Sequence, residues 1–166
     1  KIEPIEAEIV KAARALKLDN CVIKGDIVLG PKGPVIIEIA ARLSGGDFCE
    51  SLVPIGSGIN YVRTAIQISI DEAPDFTNLR PSREFTVANR YFFAPPGKLI
   101  GIEILENLEH YEWLHKFEIW AKPGDELPNI SSHAKRTGVF VISGKNRSIV
   151  QRRINKIYSA VRFIIN

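Results

Sequence analysis

The apolar positions change period several times along the chain. Between residues 5 and 17, Ile5, Ile9, Ala13 and Leu16 recur at helical spacing, with Glu3, Glu6 and Glu8 early and Lys11, Arg14 and Lys17 late. Acids ahead and bases behind complement a helix dipole, so this pattern predicts an amphipathic helix. The period then falls to two. "CVIKGDIVL" and "PVIIEIAAR" are β-branched runs bounded by Gly or Pro, with "GPKG" between them, and read as a β-hairpin. A glycine-bearing loop, "SGGDF", follows. Residues 48–70 form an apolar, roughly helical segment broken at "PIGSG", with Asn60 placed to cap "YVRTAIQISI".

Residues 71–84, "DEAPDFTNLRPSRE", are polar and proline-bearing and mark a change of organisation. The expected division is residues 1–80 and residues 81–166, the second a small α+β lobe. In it, "FTVANRYFFAP" and "GKLIGIEIL" read as strands around the turn "APPGK". "NLEHYEWLHK" reads as a short helix leading to a strand "FEIWAKP", and "GDELPNISSHAK" reads as a loop. "RTGVFVISG" is a strand, and "SIVQRRINKIYSAV" carries Ile149, Ile154, Ile157 and Val161 at helical spacing before the apolar "RFIIN". The fold class expected is α+β, mainly antiparallel sheet with packed helices.

The hairpin carries polar groups where a sheet normally hides aliphatics. Alternation along its second strand sets Val35, Ile37, Ile39 and Ala41 on one face, expected to be core. Ile36, Glu38, Ala40 and Arg42 lie on the other. In the first strand Val22, Lys24, Asp26 and Val28 share a face. A turn of three residues (31–33) or five (30–34) sets Asp26 opposite Glu38, whereas one of four sets it opposite Ile37. Opposed carboxylates at cross-strand distance repel. A divalent cation reverses that sign, and so does a solvent-facing edge on which Lys24 and Arg42 neutralise the two acids.

Composition narrows the function classes. At 166 residues and 45% hydrophobic content, one ordinary domain or two packed lobes can bury a core. A net charge of +3, from 22 basic and 19 acidic residues, is too mild and too evenly spread to favour nucleic acid. No apolar run approaches the ~20 residues of a membrane span, and no secretion signal opens the sequence. A cytoplasmic setting with Cys21 and Cys49 reduced is therefore expected. The chain contains no methionine, so a fragment or a processed product is expected. Lys145, Arg147, Arg152, Arg153 and Lys156 read as a solvated helix face, His110, His115 and His133 lack zinc-like spacing, and Trp113 and Trp120 are expected in the core of the second lobe.

"GDIVLGPKGPVIIEIAARLSGG" resembles the metal-binding hairpin of the ATP-grasp superfamily, in which an acid on one strand is followed about a dozen positions later by another in a pattern like E-x-N-x-R. "GSGINYVRTAIQISI", "FAPPGKLIGIE", "KPGDELP" and "RTGVFVISGKNRSIVQRRI" are similar to later parts of carbamoyl-phosphate-synthase-like and amino-acid-ligase-like members. The resemblance implies the carboxy-terminal part of an ATP-dependent carboxylate–amine ligase that works through an acyl phosphate. It implies ATP with Mg²⁺, or Mn²⁺, as cofactors, and metal ligands at Asp26 and Glu38. Arg42 is implied as the residue orienting the acyl phosphate, with Ser44, Gly45 and Gly46 beside the phosphate or substrate carboxylate. Ala40 departs from the pattern, where many members carry an asparagine as third ligand. The implied partners are small-molecule carboxylate and amine substrates and the amino-terminal ATP-grasp portion in cis or in trans, with a homodimer as a further option. No nucleic acid and no membrane are expected. The alternative is a non-catalytic ATP-grasp-like interaction domain or a split subunit, and as 166 residues alone the chain is expected to be inactive.

Overall fold

The computed structural model describes residues 2–166. The chain divides into two compact units, one of residues 1–50 and 59–80 and the other of residues 51–58 and 81–166.

The first unit opens with helix α1 (Ile2–Ala15), which has Glu3 in its first turn and Arg14 in its last. The charge order along the sequence thus matches the dipole. Strands β1 (Lys24–Gly30) and β2 (Gly33–Ala40) form a two-stranded antiparallel sheet. Pro31 cannot adopt the positive φ that a primed two-residue turn demands, so the turn instead relies on Gly33 at φ 117°. Helix α3 (Tyr61–Ser69) starts where Asn60 Oδ1 accepts from Arg63 N, the capping role expected of Asn60. The polar segment behind it is tied down. Gln67 Oε1 accepts from Asp75 N, Asp75 Oδ1 accepts from Thr77 N, and Asn78 O accepts from Asn60 N.

The face assignment expected for β2 is corrected by its register. Lys24, Gly25 and Asp26 pair with Ala40, Ile39 and Glu38, but Ile27 pairs with Ile36 and Val28 with Val35. Ile37 has no partner: it is a β-bulge, which reverses the facing of the residues on its turn side. Val35 therefore shares the face of Asp26, Val28 and Glu38, while Ile36 joins Ile39. Both Val35 and Ile37 are exposed, Ile37 by 67%. The covered face is Gly25, Ile27, Ile36 and Ile39, where a Cβ on Gly25 would meet the Ile9 side chain of α1 at 3.8 Å.

The second unit holds helix α2 (Val53–Ser57), strands β3 (Thr86–Phe92), β4 (Gly97–Ile104), β5 (Leu114–Ile119), β6 (Glu126–Leu127) and β7 (Gly138–Gly144), helix α4 (Arg147–Ala160) and strand β8 (Val161–Ile165). They make two antiparallel sheets, ordered β3-β7-β5 and β6-β4-β8. β7 is the central strand of the first, and every one of its residues is buried, which accounts for its unbroken apolar run. Gly138 is required by packing rather than by φ, since a Cβ there would collide with the Glu118 carbonyl and the Ile119 backbone. Asn146 caps α4 by accepting from Ile149 N, and α4 sends Val150, Ile154, Ile157 and Ala160 into a core with Ala88, Phe92, Phe140 and Ile142. Phe92 is its hub, with the rings of Phe140, Tyr158, Phe117 and Phe163 at 5.2, 5.7, 5.9 and 5.9 Å.

Two expectations for this unit are corrected. Of the expected helix over residues 107–116, residues 107–113 are turns and loop and 114–116 open strand β5. Asn107 Oδ1 accepts from Glu109 N, Tyr111 N donates to Leu108 O, and Leu114 N donates to Tyr111 O. Tyr111 stacks on Trp113 at 4.7 Å. Local side-chain-to-backbone bonds thus outcompete a helix too short to hold itself. Trp120 is not core: it is 47% exposed and donates through Nε1 to Glu118. The basic face of α4 is partly structural, since Arg153 donates to Ser143 O and lies over Trp113, while Lys156 pairs with Glu106 and lies over Tyr111.

His115 gives this unit a pH dependence. Its Nε2 lies 2.8 Å from Ser143 Oγ, and burial first, then the positive charges of Arg83 and Arg153, hold its pKa below the ordinary value. The folded state therefore favours the neutral ring, and the unfolded chain binds more protons between the depressed folded value and about 6.5. That contribution to stability is full above pH ~6.5 and is lost as pH falls through the folded value. Urea midpoints of the 166-residue chain should drop between pH 7.5 and 5, and His115→Gln should flatten the drop; an equal slope in the variant would exclude His115 as its source.

Candidate functional site

The bulge at Ile37 is what brings the two acids together. Continued past Ile27–Ile36, an unbroken ladder would place Asp26 opposite Ile37. The extra residue instead places it opposite Glu38. None of the three turn lengths considered from the sequence applies, because a tight turn at Pro31–Lys32 combines with the bulge to give the pairing.

Asp26 and Glu38 lie on the open face, with side chains 56% and 55% exposed. Between them sits the Lys24 ammonium, with Nζ 2.5 Å from Asp26 Oδ2 and 3.1 Å from Glu38 Oε1. Its side chain is only 17% exposed. The bonds to Asp26 first, and to Glu38 second, raise the Lys24 pKa above its ordinary value. Of the two cations that the sequence offers as counter-charges, Lys24 takes this position. Arg42 turns its Nη1 to the carbonyl of Leu43, 2.9 Å away.

The loop after β2 provides curvature. Gly46 has φ 65° and Asp47 φ 67°, and Phe48 N donates to Gly45 O. Ser44 and Gly45 lie in the same loop, Ser44 half-buried and Gly45 exposed, while Asp47 is buried. Two consecutive positive-φ residues bend the chain sharply at the end of the loop. A cavity of about 320 Å³ is lined by Cys21, Val22, Ala41, Arg42, Leu43 and Ser69, among others of the first unit. It sets Arg42, which follows both acids in sequence, on the wall of a half-open hollow, and nothing in the sequence pattern pointed to it. Cys49 donates to Glu50 at 2.8 Å, and burial, with Glu50 second, pushes its thiol pKa up, which disfavours a thiolate nucleophile.

Among the described residues no group of three or more His, Cys, Asp or Glu side chains is placed to hold a metal ion. The donor set on the hairpin is two carboxylates, with an alanine methyl at Ala40 on the next rung. Two carboxylates fit Mg²⁺ only as part of a shell completed by water and by oxygens from a ligand, which is how this ion is commonly held with phosphates. No helix among the described residues is long and apolar enough to cross a membrane.

Residues 90–166 match the family described as L-amino acid ligase C-terminal domain 2. Over 99% of its length the chain is similar to the crystal structure of phosphoribosylglycinamide synthetase from Anaerococcus prevotii, with 21% identity and a TM-score of 0.85. Over its full length it is similar to the crystal structure of L-amino acid ligase from Bacillus licheniformis, with 18% identity and a TM-score of 0.77. It spans 42% of each of those two chains. Similarity to the urea carboxylase of Kluyveromyces lactis covers 86% of this chain and 13% of that one, with 18% identity and a TM-score of 0.54. No curated protein matches the sequence at a significant level. The α+β arrangement of antiparallel sheets and packed helices is thus a fold shared with parts of the phosphoribosylglycinamide synthetase and L-amino acid ligase structures, and the stretch 90–166 is similar to L-amino acid ligase C-terminal domain 2.

Proposed function

We propose that the chain forms part of an ATP-dependent carboxylate–amine ligase that activates a carboxylate as an acyl phosphate, with residues 1–80 carrying its metal- and phosphate-facing wall and residues 81–166 a small subdomain. The observation that carries this reading is the Asp26–Glu38 pair on the open hairpin face, followed by Arg42 and the glycine loop. ATP with Mg²⁺, or Mn²⁺, supplies the phosphoryl group and the charge that screens it. Glu38 and Asp26 would hold the ion, and Arg42 would orient the anionic acyl phosphate. The amides near Ser44, Gly45 and Gly46 would donate to an oxyanion or substrate carboxylate. Catalysis of this kind rests on positioning and charge neutralisation, without a protein nucleophile. The reading includes small-molecule carboxylate and amine substrates and a cytoplasmic setting. The two free cysteines accord with a reducing compartment.

Residues beyond these 166 would supply the adenine pocket and phosphate-cradling donors. Calorimetry of the 166-residue chain with Mg²⁺-ATP should therefore show no micromolar binding, while the longer polypeptide should release ADP only when both a carboxylate and an amine are present. Micromolar binding by the 166 residues would mean that they hold a complete nucleotide site, and ADP release indifferent to the carboxylate would exclude an acyl-phosphate ligase. A second reading, a non-catalytic domain of the same fold, is favoured by the Lys24 contacts, which pair both acids and cancel half of their charge without any metal. Absence of ADP release with every amino-acid pair would support it.

A further inference from the structure

We propose that Lys24 is a resident counter-ion of the Asp26–Glu38 pair, which a divalent cation must displace in order to bind. The inference rests on the reading of the two acids as metal ligands and adds to it a gate. Three features of the hairpin support it.

The ammonium occupies the gap itself, bonded at once to Asp26 Oδ2 and Glu38 Oε1. A Mg²⁺ or Mn²⁺ ion held by the same two oxygens at roughly 2.1 Å would need that gap, so the two cations cannot share it. The lysine side chain as a whole is also more covered than the acids, 17% exposed against 56% and 55%, so its stem is held against the hairpin. Finally, the cross-strand partner of Lys24 is Ala40. A methyl group there leaves room for the lysine stem and offers no oxygen, so the rung next to the acids contributes a positive charge and no ligand.

The charge arithmetic gives the consequence. With the lysine in place the three side chains sum to a single negative charge, whereas the two carboxylates alone would present two to an arriving ion. A bare divalent cation gains little by expelling the ammonium into water. A cation that arrives with phosphate oxygens offers the displaced ammonium new acceptors, because lysine binds phosphate readily as a point charge. The lysine would thus make metal entry conditional on a phosphorylated ligand.

The test is Mn²⁺ binding by the 166-residue chain, read from the free-ion electron paramagnetic resonance signal. Lys24→Met keeps the stem and removes the charge, and should tighten Mn²⁺ binding by about tenfold or more. Adding Glu38→Gln should remove the gain. In the wild-type chain, the ¹⁵N signal of the Lys24 ammonium should move toward that of a free lysine as Mg²⁺ and pyrophosphate are added together, and not with Mg²⁺ alone, a readout that depends on no variant folding. Glu38-dependent Mn²⁺ binding of equal strength in wild type and Lys24→Met would overturn the gate and leave the metal site standing. Lack of any Glu38-dependent Mn²⁺ binding in Lys24→Met would overturn both.

Discussion

Glu38→Gln should lower turnover of the proposed ligase by at least about a hundredfold, because losing one preorganised charge from a site of the proposed phosphate-stabilising kind typically costs several kcal/mol in the transition state. Folding should scarcely notice. The Glu38 side chain is 55% exposed, and its partner Lys24 keeps Asp26 as a second acceptor. Exposed substitutions of this kind usually fall within about half a kcal/mol. Steady-state ADP release set beside urea denaturation of the same variant separates the two effects. Turnover near that of the wild type would make Glu38 a structural acid.

The opposite signature is expected in the second unit. Phe140 is fully buried on β7, between Arg90 of β3 and Phe117 of β5 in register, and packs against the rings of Phe92 and Tyr158. Phe140→Ala removes most of a ring from a core whose neighbours are themselves locked in ring contacts, so the void cannot close cheaply. A loss of about 3 to 5 kcal/mol is expected, a large fraction of the 5 to 15 kcal/mol that roughly spans the stability of whole domains. Phe140→Leu, which keeps volume near the ring's base, should lose markedly less. Chemical denaturation followed by Trp113 and Trp120 fluorescence would measure both, and a loss under about 1 kcal/mol in Phe140→Ala would show that the ring cluster does not organise this unit.

The legible features were those set by local pattern. The hairpin, the Asn60 cap, the strand β7 and the Ile154 and Ile157 positions of the α4 stripe each follow from local spacing, whereas Ile149, expected in that stripe, yields its place to the buried Val150, and Val161 opens β8. Residues 107–113 misled because their apolar spacing suits a helix, while Asn107 and the Tyr111–Trp113 stack favour turns. Neither of those contacts has a periodic signature. "RFIIN" reads from the sequence only as a short apolar segment, since the partner that makes it strand β8, β4, lies far back in the chain. At the candidate site, the two acids and Lys24 could be picked out, but their geometry could not. Turn length alone leaves their facing open, and the residue that decides it, Ile37, looks like any other strand isoleucine. The cavity beside Arg42 draws its walls from three separate stretches of chain, which no reading of neighbouring residues assembles.

The bulge at Ile37 also bears on how such hairpins are found in other sequences. It makes the two ends of the hairpin run on different counts, so the turn can gain or lose a residue while a compensating bulge appears or vanishes and the acids remain face to face. The number of residues between two opposed carboxylates is then a poor fingerprint for their meeting. Searches that demand a fixed interval would divide proteins sharing one arrangement into separate groups, and would admit others in which the same interval points the acids apart.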